Sequence, residues 1–310
     1  MIGDVPVAHL GDVDIHYECL GEGAPLLLIM GLGMQMIAWP DELCALLVEH
    51  GFRVIRFDNR DIGMSTQLEH LGKPHMRALV ARGALSLPIR APYTLGDMAR
   101  DTVGLLDALE IEHAHVVGCS MGGMSAQIMA IEHPTRVHSL TSLMSHPGDL
   151  RSKLARPTAL RALLAPIPHD PDLGLTHLIG VLRVLASPGF PFDEAAVRAM
   201  CVRARARGFH PYGFLRQMAA VVAAPSRVPA LRRLRTPTLV LHGTDDPLIP
   251  PVAARTTARV VPGARLHWIR GMGHDLPRGA WPEMAAVIAG HAQEAERRFT
   301  LPVRSARPGR

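Results

Sequence analysis

Gly118-Cys119-Ser120-Met121-Gly122 places a serine between the apolar run Ala114-His115-Val116-Val117 and a helix-like stretch from Met124 to Glu132. The pattern reads as strand, tight turn, helix, with Ser120 at the apex. Gly118 and Gly122 leave room where strand and helix pass close to each other, and so sharp a turn strains its central residue. The turn exposes the hydroxyl of Ser120. It also points the backbone N–H of Met121, at a helix N-terminus, toward the same space, where it could bind a developing oxyanion.

A serine hydroxyl is a poor nucleophile at neutral pH, so it needs a base, and the base needs a third group to orient it. Histidine is the natural base, but the chain has 17 of them and position must choose. His274, in Gly271-Met272-Gly273-His274-Asp275-Leu276-Pro277, directly follows the last expected strand, and its glycines allow the loop to swing the ring over the sheet edge. His242, His267, His113, His115 and His138 lie in or beside expected strands and read as structural. The acid candidate is Asp246, in His242-Gly243-Thr244-Asp245-Asp246-Pro247, while its neighbour Asp245 suits an Asx-type turn or helix cap. A second oxyanion donor is expected from Leu32, where Leu26-Leu27-Leu28-Ile29-Met30 runs into Gly31-Leu32-Gly33-Met34.

These loops need a scaffold of alternating strands and helices. Strands are expected at residues 13–19, 25–30, 53–57, 114–117, 137–143, 238–241 and 265–269, and helices at 41–50, 95–109, 121–132 and 281–297. All but the first strand are short apolar runs without clean alternation, as in strands covered on both faces of a mainly parallel sheet. The pattern breaks between 145 and 228. That segment is helical and punctuated by Pro157, Pro166, Pro168, Pro171, Pro188 and Pro191. The division expected is a core at 1–144 and 229–299, a helical cap at 145–228 and a flexible basic tail at 300–310. A cap leaving from the carboxyl ends of parallel strands would cover a site there.

Composition narrows the function classes. The net charge is +5, but only Lys73 and Lys153 are lysines, and the arginines at 203, 205 and 207, and at 232, 233 and 235, read as solvated faces, with an anionic substrate or membrane surface as the alternative. No nucleic-acid partner is expected. The four cysteines, Cys19, Cys44, Cys119 and Cys201, have neither metal-binding nor C-x-x-C spacing. Met1-Ile2-Gly3-Asp4 opens no signal-peptide pattern, and no apolar run approaches a membrane span. A cytoplasmic protein without stable membrane insertion is expected, and a homodimer is left open.

With Ser120, Asp246 and His274 in that chain order, the sequence resembles the α/β-hydrolase fold superfamily over nearly its whole length. The resemblance assigns Ser120 as nucleophile, Asp246 as acid, His274 as base and Leu32 to the oxyanion loop. Phe57-Asp58-Asn59-Arg60-Asp61-Ile62-Gly63-Met64-Ser65 matches the family's D-x-R-G-x-G-x-S segment, with Asp61 replacing a glycine. More closely, the chain is similar to esterases with an M-G-L-G oxyanion loop, including methylesterases of polyketide aglycones. Met30 stands where the superfamily usually has a histidine. Haloalkane dehalogenases and epoxide hydrolases share the fold but use Asp as nucleophile, which Ser120 argues against.

The resulting expectation is an α/β fold whose twisted, mainly parallel sheet is flanked by helices. It would hydrolyse short- to medium-chain acyl or methyl esters through an acyl-enzyme, with a small-molecule ester as partner and neither metal nor cofactor. A thioesterase or lysophospholipase is the nearest alternative. A cofactor-free perhydrolase and a non-catalytic ligand-binding protein rank lower.

Overall fold

A computed structural model describes residues 5–300 apart from 76, 77, 80, 83–86, 88, 167, 169 and 209. The expected tail beyond Thr300 and the opening Met1–Asp4 lie outside the described residues. Eight strands form one sheet: β1 (Val7–His9), β2 (Asp14–Leu20), β3 (Ala24–Ile29), β4 (Phe52–Phe57), β5 (Ala114–Cys119), β6 (Val137–Leu143), β7 (Thr238–Gly243) and β8 (Arg265–Ile269). Their spatial order is β1-β2-β4-β3-β5-β6-β7-β8. β1 pairs with β2, and β2 with β4, antiparallel; every other pairing is parallel.

The two-sided burial of the central strands follows from alternation along each strand. Leu26 and Leu28 of β3 point into one apolar cluster, together with Trp39, Leu43, Leu47, Leu241, Met284 and Ile288. Leu27 and Ile29 point into the opposite cluster, with Val116, Leu105, Ala126, Met129 and Leu140. Helices α1 (Asp41–Glu49) and α10 (Trp281–Thr300) cover the first face. Helices α2 (Leu95–Ala108) and α3 (Met121–Glu132) cover the second. The start of α2 is fixed by a capping box: the Thr94 hydroxyl accepts from the Asp97 N–H at 3.1 Å, and the Thr94 N–H donates to the Asp97 carboxylate at 2.7 Å.

Between β6 and β7 the described residues include no strand, and the regular elements are helices: α4 (Pro157–Leu164), α5 (Pro171–Leu185), α6 (Glu194–Arg207), α7 (Pro211–Ala223) and the short α8 (Val228–Leu231). A further helix, α9 (Pro251–Val260), links β7 to β8. The sequence reading lacked both β1 and α9. β1 has only three residues, and α9 opens on Pro250-Pro251 and carries Thr256 and Thr257 at its centre, a weak helical signature. No helix among the described residues is long and apolar enough to cross a membrane.

Candidate active site

Ser120 sits at the carboxyl end of β5 with φ 54° and ψ −117°, the strained left-handed backbone expected of an exposed elbow. The flanking glycines are required by close approach. A Cβ on Gly118 would stand 2.3 Å from the Gly122 carbonyl oxygen, and one on Gly122 would stand 2.2 Å from the Ile29 carbonyl oxygen. The Ser120 N–H donates to the Leu143 carbonyl at 2.9 Å, tying the elbow to β6. Ser145, just beyond β6, donates its hydroxyl to the Ser120 carbonyl oxygen at 2.7 Å. The sequence reading gave Ser145 no role.

His274 and Asp246 come from the loops after β8 and β7 and meet the serine. His274 Nδ1 lies 2.8 Å from Asp246 Oδ2, and Nε2 lies 3.0 Å from Ser120 Oγ. An ionised carboxylate only accepts, so Nδ1 carries the proton and Nε2 is left to accept from the serine hydroxyl. Asp246 is 1% exposed, and its other oxygen accepts from the N–H groups of Leu248 and Ile249 at 2.9 and 2.8 Å. Asp245 points elsewhere, its carboxylate accepting from the Thr244 hydroxyl at 2.6 Å.

Two further histidines and a thiol lie near the site. His242 Nε2 donates to the Ile249 carbonyl at 2.9 Å, and burial holds its pKa below the usual histidine range. His146, on the loop after β6, accepts at Nδ1 from the Gly148 N–H at 3.0 Å; burial, with Arg227 and Lys153 nearby, pushes its pKa down to about 3. It therefore stays neutral beside His274. Burial pushes the Cys119 thiol up, so no thiolate competes with the neighbouring serine.

The loop after β3 runs past Ser120. A Cβ at Gly31 would lie 3.2 Å from the Ser120 Cβ. With Met30 buried in place of the superfamily's histidine, three polar side chains brace this loop. Asn59 donates to the Met30 carbonyl at 3.0 Å, Asp58 accepts from the Met36 N–H at 2.7 Å, and Gln217 of α7 accepts from the Gly33 N–H at 2.9 Å. Gln217 in turn donates to the Arg60 carbonyl at 2.9 Å.

The same segment anchors the helices between β6 and β7. Arg216 of α7 and Asp61 are 1% and 0% exposed and form a two-pronged ion pair at 2.8 and 2.7 Å. Asp61 has φ 70°, which explains how it stands in for a glycine: Asp tolerates that backbone, and its carboxylate supplies a partner that glycine lacks. Arg207 of α6 pairs with Asp58 at 2.6 Å and is buried, so the reading of arginines 203, 205 and 207 as a solvated face fails at this residue. On the other side, the His274 N–H donates to the Leu185 carbonyl at 2.8 Å and the Gly273 N–H to the Ser187 hydroxyl at 2.7 Å. The histidine loop thus rests on the end of α5.

A serine on a strand–helix elbow, facing a carboxylate and a histidine from the loops after two later strands, is the arrangement of one enzyme class. This chain belongs to the α/β-hydrolase fold family, whose model matches residues 24–167. It is 31% identical over 307 residues to rhodomycin D methylesterase DnrP of Streptomyces peucetius, a match covering 92% of this chain and 96% of that one. It is 29% identical over 287 residues to a 2-hydroxymuconate semialdehyde hydrolase of Pseudomonas putida, covering 89% of each. Among solved structures, the esterase EaEST of Exiguobacterium antarcticum superposes with a TM-score of 0.73 at 18% identity, over 93% of this chain and 99% of the other.

Proposed function

We propose that this carboxylic-ester hydrolase works through an acyl-enzyme on Ser120, with His274 as proton carrier and Asp246 holding the imidazole. The observation that carries the reading is the continuous chain Ser120 Oγ–His274 Nε2 (3.0 Å) and His274 Nδ1–Asp246 Oδ2 (2.8 Å) on a serine held at φ 54°. His274 takes the serine proton as Oγ attacks the ester carbonyl. The N–H groups of Leu32 and Met121 receive the tetrahedral oxyanion, each donor worth about 2.7–4 kcal/mol of transition-state stabilisation. His274 then protonates the departing alcohol, and water repeats the sequence on the acyl-enzyme. No step calls on a metal or cofactor.

The substrate reading is a methyl or other small-alcohol ester of an apolar acid. Likeness to rhodomycin D methylesterases favours it, and so does the apolar cluster of Met98, Met121, Met124, Ala220 and Ile249, with Leu32 packed against it. The segment 145–228 serves as the cap over that site. Its helix α7 contributes Ala220 to the same cluster, and Arg216, Gln217 and Arg207 hold it to the core.

The test is a panel of methyl and p-nitrophenyl esters of increasing acyl length, each assayed beside its thioester. The reading expects ester turnover to exceed thioester turnover by at least roughly tenfold and to vanish in Ser120→Ala. Thioesters cleaved faster than esters would make the chain a thioesterase, and turnover surviving in Ser120→Ala would remove the nucleophile.

A further inference from the structure

The stretch between β6 and α5 presents leucines to solvent. Leu150 and Leu154 are 81% and 71% exposed, and Leu160 on α4 is 45% exposed. Leu173, on the neighbouring α5, is 61% exposed. Single exposed leucines are ordinary, whereas contiguous exposed apolar patches mark interaction sites. Cations are interleaved with them: Arg151, Lys153, Arg156 and Arg161 are all exposed, and residues 150–166 contain no acid. Among the described residues, no carboxylate forms an ion pair with any of these four.

The acids at the edges of the segment are largely engaged. Asp149 accepts from the Ser152 hydroxyl. Asp170 caps α5 by accepting from the N–H groups of Asp172 and Leu173 at 3.0 and 2.9 Å. That leaves Asp172 as the exposed acid at the α5 end. The segment also borders the candidate site, since the Arg156 N–H donates to the carbonyl of Pro247, the residue after Asp246, at 2.8 Å.

We propose that this rim of leucines and cations is a docking surface for an anionic phospholipid layer. The leucines enter the headgroup–acyl boundary, while the guanidinium and ammonium groups stay at the level of the phosphates and their stems lie along the apolar zone. Charge complementarity selects this occupant over a second copy of the chain. A twofold interface would set the same four cations against each other. Contact is peripheral, because no helix among the described residues can span a bilayer. The surface would deliver the site to esters dissolved in or lying on a lipid layer.

The experiment is sedimentation of the full chain with vesicles of phosphatidylcholine alone, or phosphatidylcholine mixed with phosphatidylglycerol. Mixed vesicles should bind at least roughly tenfold more tightly, and binding should weaken with added salt. Leu150→Ser/Leu154→Ser should lower that affinity at least roughly tenfold, and Arg151→Glu/Arg161→Glu should remove the preference for phosphatidylglycerol. Because the whole chain is basic, Arg232→Glu/Arg233→Glu is the charge-matched control and should bind clearly better than Arg151→Glu/Arg161→Glu. All variants should hydrolyse water-soluble p-nitrophenyl acetate like the parent, which separates this proposal from the catalytic one. Equal binding to both vesicles, no binding, an unaffected leucine variant, or equal loss in the control would each overturn it. A dimer that the leucine variant dissociates would assign the surface to a second copy and overturn it too.

Discussion

Two hydrogen-bonded chains in this molecule run from serine through histidine to carboxylate, one at each end of the sheet. At the carboxyl ends of the strands, Ser120, His274 and Asp246 are joined at 3.0 and 2.8 Å. At the amino ends, Ser139 Oγ lies 2.8 Å from His115 Nδ1, and His115 Nε2 lies 2.9 Å from Glu296 Oε1. The distances do not distinguish them. Their surroundings do. Ser139 sits inside β6, paired in the ladder opposite His115, and is 2% exposed. Ser120 stands on a strained elbow with the first N–H of a helix beside it. Burial pushes the His115 pKa down to about 4 even though Glu296 works against it, so this imidazole is poorly suited to accepting a proton at neutral pH. Backbone exposure and a helix N–H beside the hydroxyl are what Ser120 has and Ser139 lacks, and a row of hydrogen bonds alone supplies neither.

Removing each serine in turn should separate the two hydrogen-bonded chains most strongly. Ser120→Ala should lower kcat roughly 10⁴- to 10⁶-fold with the fold intact. Ser139→Ala should leave kcat nearly unchanged and cost about 1 kcal/mol of stability for one buried hydrogen bond. Steady-state kinetics beside urea denaturation read both. The carboxylates come next. Asp246→Asn should cost on the order of 10⁴ in kcat by favouring the wrong imidazole tautomer. Glu296→Gln and Asp245→Asn should cost far less, and a larger loss at Asp245 would displace the acid by one residue.

A third pair of groups separates positioning from chemistry. Asp61→Asn strips the buried Arg216 of its counter-charge and should destabilise the protein by about 3–5 kcal/mol, seen as a lower urea midpoint. The effect on kcat should be much smaller than that of Asp246→Asn. The smallest expected effect is in the pH response. Burial lowers the pKa of both His115 and His291 from 6.5 to about 4. Between those values the unfolded chain binds more protons than the folded one, so stability rises with pH there and is lost as pH falls from about 6.5 toward 4. Melting temperatures across that window should fall less steeply in His115→Gln than in the parent.

That Ser120, His274 and Asp246 would meet was legible because each follows a short apolar run, and strand ends are positions a sequence marks clearly. The doubly buried strands were legible for the same reason. The anchoring pairs were not. Asp58 and Arg207 stand 149 residues apart, and Asp61 and Arg216 stand 155 apart, with no periodicity to link them. A helix such as Glu194–Arg207, rich in arginine, looks like a solvent face until its partner is known. One signal was present at Asp61, since an aspartate at a position the family fills with glycine implies a left-handed backbone and a carboxylate in need of a cation. Gln217, Asn59 and Ser145, which brace the loop and the elbow, bind backbone atoms distant in sequence and leave no mark in composition.

Covalent labelling asks whether exposure and strain single out Ser120 among the serines. A fluorophosphonate probe, followed by proteolysis and peptide mass mapping, should place one adduct on the peptide carrying Ser120 and none on the peptide carrying Ser139. Ser120→Ala should take up no label. A parent protein that stays unlabelled, or an adduct on another serine, would contradict the account.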